Sequence, residues 1–319
     1  KNPISASGGW DRKGYYCLQR LGGYSLNNDF MLSADHQLGD FNIDGFIGGT
    51  VYYWKSDNIM GETQNGLTIP GYYSLKGSID NVKTTSGVTK KLVNSLYGKV
   101  SASWKSTVFV DITGRNDWSS TLPKETRSYF YPSVAGSVVL SQFIPMPEVF
   151  DFWKVRGSWT QTKSDLSVYE TNNAFSISNN LFNGSSAAYY PTSIRGVSVL
   201  PSATRSYELG TAVNLFKNRL KVDFTYYNKL YYNLTRQAGI SEASGFGSTL
   251  INIDEEQLRK GFEITLSGDI IRTKDWNWNS MFNWSRDRYY YSQVDPVYST
   301  QKPWVKAGER WDWYGVYDW

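Results

Sequence analysis

The chain has 319 residues, and its 33 Lys and Arg against 29 Asp and Glu leave a net charge of +4, a bias too slight to argue for nucleic acid. Aromatics make up 16%, with 24 Tyr and 13 Trp against 15 Phe, and Tyr and Trp join an apolar body to a polar tip that suits oil–water interfaces. No stretch reaches the roughly 18 consecutive apolar residues of a membrane helix, and a single Cys17 and a single His36 exclude an internal disulfide and a Cys/His zinc site.

The opening Lys1-Asn-Pro-Ile-Ser5 lacks the apolar run of a signal peptide. The closing Trp313 to Trp319 reads as an interruption, so a fragment of something larger is expected. A first strand is expected around 12–20. From residue 28 the dominant period is two: Asn28, Phe30, Leu32, Ala34, His36 and Leu38 alternate with Asp29, Met31, Ser33, Asp35 and Gln37. A tight turn at Gly39-Asp40 then leads to Phe41, Ile43, Gly45, Ile47, Gly49, Val51 and Tyr53 on one face of a second strand, which makes a hairpin.

The pattern recurs at Leu96 to Lys105 with Thr107 to Arg115, and at roughly 129–143 with 152–161. It recurs again at 203–215 with 220–230, and at 261–271 with 276–287. The count is about eleven strands. Turns within hairpins are short, whereas the links between hairpins, 55–94, 116–128, 162–202, 231–258 and 288–319, are long and polar. In the segment Gln142 to Asp151, Pro145 and Pro147 bar a two-residue turn and suggest one short helical turn.

Strict alternation of short and long links, with strands of about eleven residues, matches an antiparallel transmembrane β-barrel having short periplasmic turns and long external loops. The fold class expected is therefore all-β. By parity, Asp35, Asp44, Lys99, Asp111, Arg156, Asp223, Glu263 and Asn279 line the lumen, and His36 falls on the lipid side. A soluble or surface β-rich glycan-binding protein is the alternative, because alternation by itself also suits a soluble sandwich.

No catalytic, metal-binding or cofactor-binding residue is assigned, and no enzyme activity is expected. A triad would have to use His36 without its context, no carboxylate pair is placed around one substrate, and Asp254-Glu255-Glu256 reads as a solvated acidic loop. Loop aromatics Tyr72, Tyr73, Tyr189, Tyr190 and Phe246 are weak candidates for substrate contact. The interfacial girdle and loop packing explain such residues better than substrate contact does, and Tyr289, Tyr290 and Tyr291 fit the girdle.

Three stretches resemble one family. They are Thr113 to Pro123 with Arg127 to Ser137, built on Gly114, Arg115, Asp117, Ser119 and Ser120; Phe152 to Trp159; and Tyr207 to Gly210 through Phe216 to Leu220, Asp223 to Lys229 and Lys260 to Ile264. Their order and spacing are similar to those of the SusC/RagA-type TonB-dependent outer-membrane transporters of Bacteroidetes, over about residues 10–319. Arg115 and Asp117 are read as a loop anchor and Ser119 and Ser120 as turn formers.

The resemblance implies residence in the bacterial outer membrane and import of an oligosaccharide or oligopeptide. It also implies a SusD-like surface lipoprotein, TonB acting through a segment not in this chain, and a possible dimer of transporter pairs. Residues 1–319 then form part of a barrel of about 22 strands, with no plug domain.

Overall fold

The computed structural model of the protein describes residues 13–178, 183–195 and 198–312. In chain order the strands are β1 (Cys17–Leu38), β2 (Phe41–Leu67), β3 (Ser78–Trp104), β4 (Val108–Ser119), β5 (Ser128–Val139), β6 (Phe150–Ser164), β7 (Ser176–Ile177), β8 (Ala188–Tyr189), β9 (Ser193–Ile194), β10 (Ser202–Leu215), β11 (Leu220–Tyr232), β12 (Leu234–Gly239), β13 (Ser248–Ile253), β14 (Glu256–Arg272) and β15 (Asn277–Gln293). Ten of them make one sheet in the order β1-β2-β3-β4-β5-β6-β10-β11-β14-β15. Every neighbouring pair in it is antiparallel. The short β12, β13 and β9 form a second sheet, and β7 pairs with β8.

Register divides each wall strand into two faces. Pairs such as Lys99↔Thr113, Thr113↔Ser133 and Arg156↔Gly210 share one face, while Val100↔Ile112, Ile112↔Val134 and Val155↔Val138 share the other. The second face is apolar and lies open: Leu32 is 73% exposed, Phe282 59%, Val100 56% and Ile112 53%. From the short turns up to Tyr53 on β2, Trp118 on β4, Tyr207 on β10 and Trp284 on β15, this face carries no Asp, Glu, Lys or Arg. An uncovered apolar sheet face of this extent needs lipid as its solvent. A strand of 12 residues such as β4, tilted as barrel strands are, spans about 25–30 Å, the height of the apolar band.

The buried side chains are found mainly elsewhere. Leu122, Tyr129, Leu166, Val199 and Leu250 form one cluster with Tyr131 packed against it, where the links after β4, β6 and β9 meet residues of β5 and β13. The molecule therefore has a lipid-solvated wall without a core of its own, surmounted by external loops that do possess one.

The structure corrects several expectations of segmentation. The strand foreseen at 12–20 is the start of β1, which continues without a break to Leu38, so the wall has ten strands and not eleven among the described residues. The supposed loop 55–94 is largely strand. β2 and β3 are 27 residues each and remain paired as far as Leu67↔Ser78. Their upper halves, with Thr84, Thr85, Val88 and Thr89, have strand propensity without a uniformly apolar face, because above the bilayer neither side must be apolar. The helical turn expected within 142–151 lies just before it, at Leu140–Gln142. Of Tyr289–Tyr291 only Tyr290 shares the outward face, since its neighbours pair with the inward Arg259 and Gln257. The closing Trp313 to Trp319 falls outside the described residues.

Candidate functional site

The inward face is polar, and many of its charges on β3, β4 and β6 to β15 are paired. All eight residues expected there by parity, Asp35, Asp44, Lys99, Asp111, Arg156, Asp223, Glu263 and Asn279, lie on it by register. Lys99 meets Asp111 at 2.9 Å across β3 and β4. The Arg156 guanidinium reaches across β10 to donate to both oxygens of Asp223, at 2.9 and 2.7 Å, and to the Thr225 hydroxyl at 2.6 Å. Lys229 with Glu208 and Arg259 with Asp287 continue the series. Exposed pairs of this kind contribute little to stability individually. Their chemical effect is local: each pair offsets its own charge while leaving hydrogen-bonding groups on the wetted wall.

At the top of this face lies the signature segment. Arg115 Nε donates to Asp117 Oδ1 at 2.8 Å, Arg115 Nη2 donates to Ser95 Oγ at 2.8 Å, and the guanidinium stands 5.3 Å from the Tyr97 ring centroid. Tyr131 donates to the other Asp117 oxygen at 2.7 Å, so both oxygens of the buried Asp117 carboxylate are used. The loop is tied down two residues later. Ser119, only 1% exposed, donates to Asp165 at 2.5 Å, and Lys91 pairs with the same carboxylate at 2.7 Å.

Ser120 follows the end of β4, yet its amide still donates to the Leu92 carbonyl, and its hydroxyl accepts from the Leu92 amide. Gly114 lies on the outward face, where a Cβ would stand 3.0 Å from the Phe130 ring. The absence of a side chain lets that ring lie flat on the strand.

The five loop aromatics named from sequence do not form one group. Tyr72 and Tyr73 sit between β2 and β3, at the tip of the longest hairpin. Tyr189 is on β8, paired with Ser176. Tyr190 and Phe246 do meet, with ring centroids 5.4 Å apart, and Phe175, which sequence reasoning missed, joins them at 5.3 Å from Tyr190 in an edge-to-face contact. Phe175 and Tyr190 are each 63% exposed.

Beside this cluster a cleft of about 530 Å³ opens between Val88 and Tyr169 on one side and Ser176, Pro191 and Arg195 on the other. Asn173 braces its rim: its amide accepts from the Arg195 N–H at 2.8 Å and donates to the Arg195 carbonyl at 2.5 Å. Nothing in the sequence marks Phe175 and Arg195 except their position in a long polar link, and Phe246, which meets Tyr190, belongs to another link.

A further tie closes the loop layer. Asp295 accepts from the amides of Val297, Tyr298 and Asp254 at 2.8–2.9 Å. These amides, that of Tyr298 foremost, hold its carboxyl below the usual range against the opposing effect of desolvation. The acidic run 254–256 is solvated only in part: Asp254 is exposed, but Glu255 is 8% exposed and accepts from Ser299 at 2.5 Å, and Glu256 opens β14. The Glu255 charge faces hydroxyl and amide partners within the loop layer, and no third metal-ligating side chain joins it among the described residues.

Comparison with known proteins places this architecture. Residues 4–315 match the family described as TonB dependent receptor-like, beta-barrel. TonB-dependent receptor P3 of Formosa agariphila is 28% identical over 225 residues, covering 68% of this chain and 22% of that protein. TonB-dependent receptor P26 of the same organism is 24% identical over 262 residues, covering 80% and 26% respectively. The chain spans about a quarter of the length of these relatives. Among solved structures, the RagAB peptide transporter superposes with a TM-score of 0.74 at 17% identity, covering 88% of this chain and 32% of the matched one. The sheet described above has the fold of that wall.

Proposed function

The chain belongs to the TonB dependent receptor-like β-barrel family of the bacterial outer membrane, and from that premise we propose that it supplies part of the barrel wall and external loops of an importer driven through TonB. The cargo proposed is an oligosaccharide or an oligopeptide. The observation that carries the reading is the two-faced sheet: an outer face with an uncharged apolar band, a polar inner face that bears ion pairs, and a packed loop layer at one end. Residues 1–319 are assigned wholly to the barrel domain, with the plug and the TonB-engaging segment in other parts of the protein. A SusD-like surface lipoprotein is the proposed partner at the loop layer, and a dimer of such pairs is the proposed assembly. The role is transport and not catalysis. A soluble glycan binder would leave the open apolar face without a solvent.

Within this reading, Phe175, Tyr190 and Phe246 are the proposed first contact for cargo, since exposed rings stack on sugar faces and on peptide side chains alike. Tyr72, Tyr73 and Tyr189 are proposed to shape the loop surface around them. Gly114, Arg115, Asp117, Ser119 and Ser120 act as the scaffold that sets the loop height.

The test is uptake of labelled oligopeptide and oligosaccharide pools by cells carrying the full-length protein, with and without TonB. Import of one pool, lost without TonB, is the expected result. With that cargo, Phe246→Ala raises the half-saturating concentration by about tenfold while the maximal rate is kept, the size of one lost aromatic contact. Uptake that persists without TonB overturns the proposal.

A further inference from the structure

On β14 and β15, cations one residue apart on the two faces differ in their partners. On the inward face Arg259 pairs with Asp287 at 2.8 Å. One residue further on each strand, Lys260 and Arg288 lie directly across from each other on the outward face, and Arg286 follows one rung below, across from Phe262. None of these three takes part in an ion pair among the described residues. The Lys260 ammonium rests 4.5 Å from the Tyr290 ring centroid, and Arg288 Nη1 donates only to the Asp287 carbonyl. The nearby acid on the adjoining segment, Asp312, is already held by Arg310 at 2.9 Å. Like charges directly across a strand pair repel, and among the described residues no carboxylate pairs with these three.

The height of these cations identifies what offsets the repulsion. Below the three cations the outward residues are Ile264, Phe282 and Trp284, Phe262 stands across from Arg286, and above them come Leu258 and Tyr290. The cations thus occupy the rung where the apolar band gives way to the external girdle. The same order recurs around the wall: Lys55 follows Tyr53 on β2 and Arg205 follows Tyr207 on β10, and neither is ion-paired among the described residues. A group that meets this rung from outside must lie in the headgroup layer of the outer leaflet. There an anion is what relieves the repulsion, and a phosphate suits two guanidinium forks and an ammonium better than any neutral headgroup.

We propose that Lys260, Arg286 and Arg288 form a binding site on the outward face of β14 and β15 for the phosphate of an outer-leaflet phosphorylated glycolipid. Tyr290 and Trp284 pack against its sugar and acyl-proximal portions, and the lipid offsets the repulsion between Lys260 and Arg288 across the strand pair. The site is separate from the cargo path, being on the opposite face of the sheet. It rests on the assignment of the lipid face and not on the transport reading.

The test uses the full-length protein in detergent, titrated with bisphosphorylated lipid A, with the same glycolipid stripped of phosphate, and with inorganic phosphate. Bound lipid is counted by native mass spectrometry. The wild type is expected to retain the phosphorylated form at least about tenfold more tightly than the stripped form, the size of one lost charge-assisted contact, and to ignore inorganic phosphate at the same concentrations. Lys260→Gln with Arg286→Gln and Arg288→Gln removes the preference, while Lys260→Arg with Arg288→Lys keeps it.

Equal retention of stripped and phosphorylated lipid by the wild type overturns the proposal without recourse to any variant. Unchanged preference in the triple Gln variant does so as well. Displacement by inorganic phosphate at those concentrations overturns the lipid as its source. Loss of the site leaves TonB-dependent uptake of cargo unchanged, so the two readings fail separately.

Discussion

The membrane wall and the external loop layer obey opposite rules. In the wall the large apolar side chains are on the outside, with Leu32 and Val100 more than half exposed, and within the apolar band the charges are turned inward, some of them paired, as Lys99 is with Asp111. In the loop layer Val199 and Leu250 are sealed at 1% and 2% exposure, and tyrosines and loop aromatics occupy the rim. The wall is stable because lipid solvates its apolar face and strand pairing satisfies its backbone. The loops stand in water and must build an interior of their own. One chain therefore changes its folding logic at the height of Trp118 and Ser119.

The largest expected effect comes from breaking the loop interior. Leu250→Ala deletes a side chain that is 2% exposed, which costs about 2–5 kcal/mol where the cavity cannot collapse. The loss is confined to the loop layer. Limited proteolysis is expected to cut the 165–201 and 240–247 links faster, with the heat-modifiable migration of the assembled barrel unchanged.

A slightly smaller effect is expected in the wall, where the rule inverts. Val100→Arg places a charge near mid-height on the lipid face and costs about 2–4 kcal/mol of assembled stability, read by urea unfolding in vesicles. Ser101→Arg, one residue away on the inward face, is expected to cost much less. Equal penalties at the two positions would contradict the division of faces.

The smallest effect is on pH. The Asp295 carboxyl is lowered in the folded loops by the amides of Tyr298, Asp254 and Val297. The tie is therefore complete above the ordinary aspartate pKa of about 3.9, and it is lost as pH falls through the depressed folded value. Amide exchange at Val297 and Tyr298 is expected to accelerate, relative to wall amides, only at pH below about 4, and Asp295→Asn abolishes that dependence.

These contrasts explain what could be read from sequence. The wall was legible because a half-solvated strand repeats every two residues: all eight inward residues from Asp35 to Asn279, and His36 on the outward side, follow from parity alone. The upper halves of β2 and β3 were not legible, since above the bilayer the alternation relaxes and Lys55 to Lys91 reads as polar link. The network of Arg115, Asp117 and Tyr131 was partly legible, as a motif whose first two members lie two residues apart on one strand. Its continuation through Ser119, Asp165 and Lys91 joins three separate segments, and no local pattern encodes it. For the same reason the meeting of Phe175, Tyr190 and Phe246 emerged only from the fold.

The account turns on which face of the sheet meets lipid. The most direct measurement places a nitroxide at Ile112→Cys and, separately, at Thr113→Cys in the full-length protein in bilayers, and compares collision with oxygen against collision with a water-soluble nickel chelate. Position 112 is expected to favour oxygen strongly and position 113 to favour the chelate. Chelate access at both positions, or the reverse order, would contradict the lipid-facing assignment on which the wall, its polar lumen and its outward cations depend.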